Sequence, residues 1–233
     1  MIEKEFDNYI DNYRNNCNNA LWLSGESSDY FALYKAQKLQ TWFSNQTQKK
    51  IKILDFGCGD GIMTQHVQSL FPHATVYGVD PSPKSVQDAQ TKFPSIKFSV
   101  NSDSNTKLDF ESNSFDLIFT AGTLHHIPFS MHAGYMQELM RIVKAGGSIV
   151  IFELNPLNPL TVYTFKTNPI DYNAKMLTPW YAYNLAKKYS KPSIKFICFF
   201  PKFLKFLRPL EALFSKIPAG ALYSIIIPKK GAD

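Results

Sequence analysis

Two short stretches of this chain hold the residue types best suited to chemistry. One reads Asp55-Phe56-Gly57-Cys58-Gly59-Asp60-Gly61, with glycines at alternating positions. Glycine lets the backbone turn sharply and approach a ligand with no Cβ in the way. A helix opening behind such a loop points its unpaired amides at the same spot. The other is Asp80, which ends the next apolar run, Thr75-Val76-Tyr77-Gly78-Val79. A carboxylate at a strand tip beside a glycine loop is placed to accept two hydrogen bonds from the vicinal hydroxyls of a ribose. Either signal alone is weak. Together, each at the end of a strand, they predict a site for a nucleoside-containing ligand.

Strands and helices must alternate to position these residues, and the sequence reads that way. Ile51 to Phe56 is a short apolar strand, Ile62 to Leu70 a helix, and Thr75 to Asp80 a second strand closed by Pro81-Ser82-Pro83. Lys84 to Phe93 follows as a helix, Ile96 to Val100 as a third strand and Phe115 to Thr120 as a fourth. Met131 to Lys144 reads as a helix, and Gly146-Gly147 turns the chain into a fifth strand, Ser148 to Glu153. Repeated units of this length predict a parallel sheet with helices on both faces. Right-handed crossovers then gather the loops that follow the strands on one edge.

The flanks read differently. Phe6, Tyr9, Ile10 and Tyr13 at helical spacing, then a run from Tyr30 to Phe43, predict a helical cap over residues 1–48. Residues 49–233 form the remaining domain. Asn155-Pro156-Leu157-Asn158-Pro159-Leu160 cannot be a central strand, because proline removes a ladder donor. Thr178 to Tyr189 reads as a helix, and Ile194 to Phe200 and Leu222 to Ile227 as two last strands.

Composition narrows the class. With 233 residues, 45% hydrophobic and 19% charged, the chain is predicted to be one globular α/β unit with a small appendage. No apolar run is long enough for a spanning helix, and the N-terminus lacks the pattern of a secretory signal. Cys17, Cys58 and Cys198 share no metal or redox spacing, so no metal site is expected, and a cytoplasmic protein with free thiols is. The net charge of +6 is uneven: residues 1–186 carry 15 basic against 17 acidic groups, and residues 187–233 carry 10 against 2. That points to a local partner for the C-terminal fifth and away from nucleic acid. Within it, residues 201–220 are amphipathic, with Phe203, Phe206, Leu207, Leu210, Leu213 and Phe214 on one face and Lys202, Lys205 and Arg208 on another. The segment suits either peripheral contact with the inner face of a membrane or packing on its own domain.

The stretch Ile53 to Gly61 resembles the first motif of the class I S-adenosylmethionine-dependent methyltransferases, whose spacing is GxGxG and not the GxGxxG of dinucleotide binders. The resemblance continues through Val79-Asp80-Pro81-Ser82, Phe115-Asp116-Leu117-Ile118, Leu124-His125-His126-Ile127 and Val143-Lys144-Ala145-Gly146-Gly147. It covers Ile51 to Glu153, and the flanks resemble a small-molecule-type branch of the family. It implies a Rossmann-like, seven-stranded, mostly parallel sheet with an antiparallel last strand. It also implies S-adenosylmethionine as cofactor and S-adenosylhomocysteine as product. Tyr9, Tyr13, Tyr30, Phe31, Tyr34, Tyr163 and Tyr172 predict an apolar pocket for a small-molecule or lipid-like acceptor methylated on oxygen. By the same resemblance Asp55, Gly57, Cys58, Gly59 and Gly61 hold the methionine part, and Asp80, Pro81 and Ser82 the ribose. Ser102, Asp103 and Ser104 meet the adenine, and Thr120, Ala121 and Gly122 form the floor below the sulfonium. A glycine often stands where this chain has Ser102. His125 and then Glu153 are the expected bases for an acceptor oxygen. His126 is expected to pack away from the ligand, and His66, His73 and His132 to lie on the surface. A nucleotide-binding oxidoreductase and a non-catalytic adaptor that binds S-adenosylmethionine or a membrane surface stay open as alternatives.

Overall fold

The computed structural model describes residues 12–101 and 106–231. Phe6, Tyr9 and Ile10, and the expected adenine-binding residues Ser102, Asp103 and Ser104, lie outside them.

Why the strands sit where they do follows from burial on both faces. In β1 (Lys52–Phe56) Ile53 packs into one hydrophobic cluster and Leu54 into the other, as a strand with helices on each side requires. The sheet continues with β2 (Thr75–Asp80), β3 (Lys97–Val100), β4 (Phe115–Ala121), β5 (Val143–Leu154), β6 (Ser193–Ile197) and β7 (Leu222–Pro228). Its order is β3-β2-β1-β4-β5-β7-β6, and only β7 runs antiparallel to its neighbours. This is the seven-stranded sheet the sequence implied. Register places Phe56 opposite Val79, and Asp55 opposite both Gly78 and Phe119. The tips of β1, β2 and β4 therefore end together, at the point where strand order reverses. Ligands bind at such a switch point.

The helices are α1 (Tyr13–Ala20), α2 (Ser28–Trp42), α3 (Ile62–Leu70), α4 (Pro83–Lys92), α5 (Phe129–Ile142), α6 (Pro159–Thr167), α7 (Pro179–Lys187) and the short α8 (Glu211–Phe214). Their starts are set by local chemistry. Ser27, Ser82, Asn158 and Thr178 each accept a hydrogen bond from a backbone amide three residues on, and proline occupies the first turn of α4, α6 and α7. Helix α6 grows out of the very Asn-Pro run that proline excludes from a strand. One face of the sheet is covered by α5 and α7, the other by α2 and α3. The N-terminal helices thus share the domain's core.

The C-terminal flank departs most from expectation. Strand β6 stops at Ile197, because Cys198 takes a left-handed φ of 63°. Residues 201–220, which Pro209 and Pro218 interrupt, form two short helical pieces. A 3-10 helix, Lys202–Leu210, is kinked at Leu204 and gives way to α8. The buried carboxylate of Glu211 pins this flank to the cap: it accepts from the Tyr34 hydroxyl at 2.5 Å and the Phe199 amide at 2.9 Å. Replacing Glu211 by alanine strands both donors. The expected loss is about 1–3 kcal/mol, read as a fall in Tm of roughly 2–10 °C, whereas Ala212→Ser is expected to leave Tm unchanged.

Candidate functional site

The glycine loop is shaped by close approach. Gly57 has φ 79°, and a Cβ there would lie 2.3 Å from Thr123 Cγ2, so no other residue fits. The loop's amides are committed within the protein. Gly57 and Cys58 donate to the Val79 carbonyl at 2.8 and 3.0 Å, and Gly59 donates to Asp80 Oδ2 at 2.9 Å. Ser82 donates to Asp80 Oδ1 at 2.9 Å, so two backbone amides orient that carboxylate. Gly61, also at positive φ, caps α3 and packs against Phe98. A Cβ on Gly59 would meet nothing within 4 Å, so there the loop opens onto a cavity of about 550 Å³.

The strand tips supply most of the cavity wall. Asp55, Gly57, Cys58, Gly59, Asp80, Pro81, Ala121 and Gly122 line it. Gly61, Ser82, Thr120 and Glu153 stand behind the wall. Ser82 is the buried N-cap of α4, and the buried Thr120 hydroxyl has no hydrogen-bond partner among the described residues. Burial pushes the Asp55 carboxyl up to about 7, against the opposing effect of the Thr64 hydroxyl that donates to it at 2.7 Å. Two cations reach the same end from the cap. Arg14 forks onto Asp60 at 2.5 and 2.6 Å, latching α1 over the loop. Lys35 of α2 lines the cavity, its pKa lowered by burial to about 8 despite the nearby Asp55 and Glu153. Sequence reasoning missed both, because the N-terminal helices were read for their apolar spacing alone.

Beyond β4, the 3-10 turn Leu124–His126 brings two imidazoles together. His125 is buried, with Nδ1 2.6 Å from Glu153 Oε2 and Nε2 3.3 Å from Asp171 Oδ1. Burial alone would lower its pKa, but Glu153 and Asp171 together outweigh burial and raise it to about 10. His125 is thus an imidazolium at neutral pH. Glu153 is committed twice, since its Oε1 accepts from the Leu124 amide at 2.9 Å. His126 lines the cavity, a correction to its expected outward packing, and its Nε2 lies 3.4 Å from Asp171 Oδ1. Burial and the neighbouring His125 charge hold its pKa well below the usual imidazole value, so it is neutral. Asp171, which the sequence reading passed over, is oriented by the Asn168 side chain, whose Nδ2 donates to its Oδ2 at 2.7 Å. His132 is likewise corrected from surface to core: its Nε2 donates to the carbonyls of Leu124 and Ile127, fixing the turn that carries both imidazoles. Ligand atoms of His125, His126 and Asp171 fall within 4.8 Å of one another, near enough for a cation. In this arrangement the imidazolium proton supplies the positive charge.

This geometry decides between nucleoside ligands. A dinucleotide's phosphates need unpaired loop amides, and those of Gly57, Cys58 and Gly59 are already bonded. A sulfonium nucleoside with an amino-acid tail needs carboxylates at the loop and one ammonium for its carboxylate. Asp55, Asp80 and Lys35 on the open cradle at Gly59 meet that need.

Comparison with known proteins agrees. Residues 53–147 match the family described as "Methyltransferase domain". A malonyl-[acyl-carrier protein] O-methyltransferase of Legionella pneumophila is 29% identical over 141 residues, 58% of this chain and 49% of that protein. A demethylmenaquinone methyltransferase of Thermotoga maritima is 32% identical over 107 residues, 46% of this chain and 45% of that protein. The chain spans about half the length of the curated relatives it matches. Among solved structures, an S-adenosylmethionine-dependent methyltransferase of Thermotoga maritima, titled a possible histamine N-methyltransferase, superposes with a TM-score of 0.68 at 16% identity, over 99% of this chain and 100% of that one. Phosphoethanolamine N-methyltransferase 2 of Haemonchus contortus, in complex with S-adenosyl-L-methionine, gives 0.56 at 18%, over 78% of this chain and 49% of that one. Residues 53–147 therefore match a methyltransferase domain, and the fold is that of solved S-adenosylmethionine-dependent methyltransferases.

The His125 cluster gives stability a pH dependence of definite sign. The imidazole titrates near 6.5 when exposed and near 10 in the fold, so its contribution is complete below 6.5 and is lost as pH climbs toward 10. Urea midpoints of the protein minus those of a His125→Gln variant are expected to shrink steadily across that window. A difference that grows with pH would contradict the assignment.

Proposed function

We propose that this chain transfers the methyl group of S-adenosylmethionine to an oxygen atom of a small or amphipathic acceptor. The observation that carries this reading is the pair of imidazoles at the cavity: a neutral His126 on the wall, held beside a protonated His125. The base role moves accordingly, from His125 and Glu153 to His126. His125 already holds a proton, and Glu153 lies behind the wall with both oxygens engaged.

The bound cofactor supplies an already activated methyl group, so placement accounts for much of the acceleration. Asp55 and Lys35 bracket its amino-acid end, Asp80 takes the ribose hydroxyls, and Ala121 and Gly122 leave room beneath the reacting centre. His126 removes the acceptor's proton while the carboxylate of Asp171, 3.4 Å from its Nε2, holds the ring in place. Helices α1 and α6 cover the site, and the Arg14–Asp60 pair fastens α1 over the loop.

The acceptor side is largely apolar, with Leu21, Leu23, Phe31, Leu160, Phe199 and Phe200 on the wall. Relatives whose names specify an O-methyltransferase and a quinone-type substrate support the same substrate class. The free thiols of Cys17, Cys58 and Cys198 support a cytoplasmic setting.

Labelled methyl groups offered with a total cell lysate are expected in the organic-extractable fraction. Label confined to protein or RNA would overturn the acceptor class, and no transfer at all would favour a binding-only adaptor. His126→Asn is expected to slow transfer by roughly 10²–10⁴-fold, with affinity for S-adenosylhomocysteine unchanged.

A further inference from the structure

The segment after β6 holds large apolar side chains out in solvent although the segment itself is firmly seated. Phe203 is 74% exposed, Phe206 70% and Leu213 78%. The same stretch is tied down from within by Glu211 and by the packed rings of Phe199, Phe200 and Phe214. These side chains are therefore presented by ordered backbone. Phe203 and Phe206 flank the kink at Leu204, and both stand out in solvent.

They do not stand alone. Trp22, 64% exposed, sits on the 3-10 turn Trp22–Ser24, and a Cβ on the following Gly25 would lie 3.0 Å from Lys202. Arg208 bridges to Glu26 at 2.9 Å, joining the two segments. On the other side Leu160, 56% exposed, lies on α6, whose Thr161 hydroxyl donates to the Ala221 carbonyl just before β7. Leu21, Leu23, Leu160, Pro201 and Arg208 all line the cavity. Leu160 thus lines the cavity itself, and Trp22, Phe203 and Phe206 each lie within two residues of one that does. An apolar patch rimmed by polar groups marks an interaction surface.

Charge selects the partner. Exposed Lys202, Lys205 and Lys216 stand among these side chains, and the single acidic residue of 201–220, Glu211, is buried. A second copy of the chain would bring like charges together. Apolar side chains interleaved with lysines suit the interface of an anionic bilayer, where the apolar groups enter the acyl boundary and the lysines meet headgroups.

We propose that this patch docks the protein on an anionic lipid bilayer with the cavity mouth facing the membrane, so that an amphipathic acceptor enters the site directly from the lipid. The acceptor part rests on the methyl-transfer reading above; the docking itself does not.

Flotation of the full chain with phosphatidylcholine vesicles, pure or mixed equally with phosphatidylglycerol, tests it. Binding is expected to the mixed vesicles only. The double variant Phe203→Ser, Phe206→Ser, and separately Lys202→Gln, Lys205→Gln, Lys216→Gln, are each expected to weaken it more than about tenfold. Both variants are expected to keep the parent's affinity for S-adenosylhomocysteine, which shows that they fold. Three results would overturn the proposal: no flotation with anionic vesicles at low salt, equal flotation of parent and variants, or a parent dimer that the phenylalanine variant dissociates. Flotation by a parent that fails to bind S-adenosylhomocysteine would support docking and sink the methyl-transfer reading alone.

Discussion

The site depends on how the loop after β1 is fastened to β2. The Val79 carbonyl and the Asp80 carboxylate together take the amides of Gly57, Cys58 and Gly59. Parallel pairing of Phe56 with Val79 makes this reach possible. The consequence is selective. A loop whose donors are already bonded has nothing to offer a phosphate, and what remains toward the cavity is carboxylate and open space. Recognition then has to run through Asp55, Asp80 and the ammonium of Lys35, a pattern that fits a cationic amino-acid nucleoside.

Charge in the interior is costly unless it is compensated, and the rest of the site is arranged around that constraint. Asp55 meets it by taking up a proton near neutrality, Asp60 by pairing with Arg14, and Glu153 with Asp171 by sharing the His125 imidazolium. These pairings cross between elements distant in sequence: the cap, the loops after β1 and β4, the tip of β5, and the segment after α6. Electrostatic compensation therefore joins the cap to the sheet as much as apolar packing does. The same charges set His125 and His126 apart in protonation although they are adjacent in the chain.

The sheet was legible because its signals are local and repeated. Apolar runs of strand length ended by glycine or Asp80, and Pro83 behind Ser82, specify element and boundary without reference to the rest of the chain. The loop and Asp80 were readable for the same reason. Asp171, Lys35 and Arg14 were not, because each acts only once the fold brings it to a distant partner, and none interrupts its own element's pattern. His126 and His132 show the limit from the other side: in a turn, spacing does not say which way a ring points. The Asn158-Pro159 pair carried a helix start, an N-cap followed by proline, that reading it only as a strand breaker hid. In residues 201–220 the apolar periodicity was visible, but Glu211, the residue that decides which face turns outward, reads in sequence as an ordinary surface carboxylate.

Titration calorimetry with S-adenosylhomocysteine tests the central claim most directly. At pH 6 the protein is expected to bind with release of about one proton. Asp55, which titrates near 7 in the fold, would lose it as the ligand's ammonium arrives. Buffers of different ionisation enthalpy measure that release, and Asp80→Ala is expected to weaken binding at least about tenfold. Binding unaffected by Asp80→Ala and without proton exchange, or no heat at all from ligand-free protein, would contradict the account.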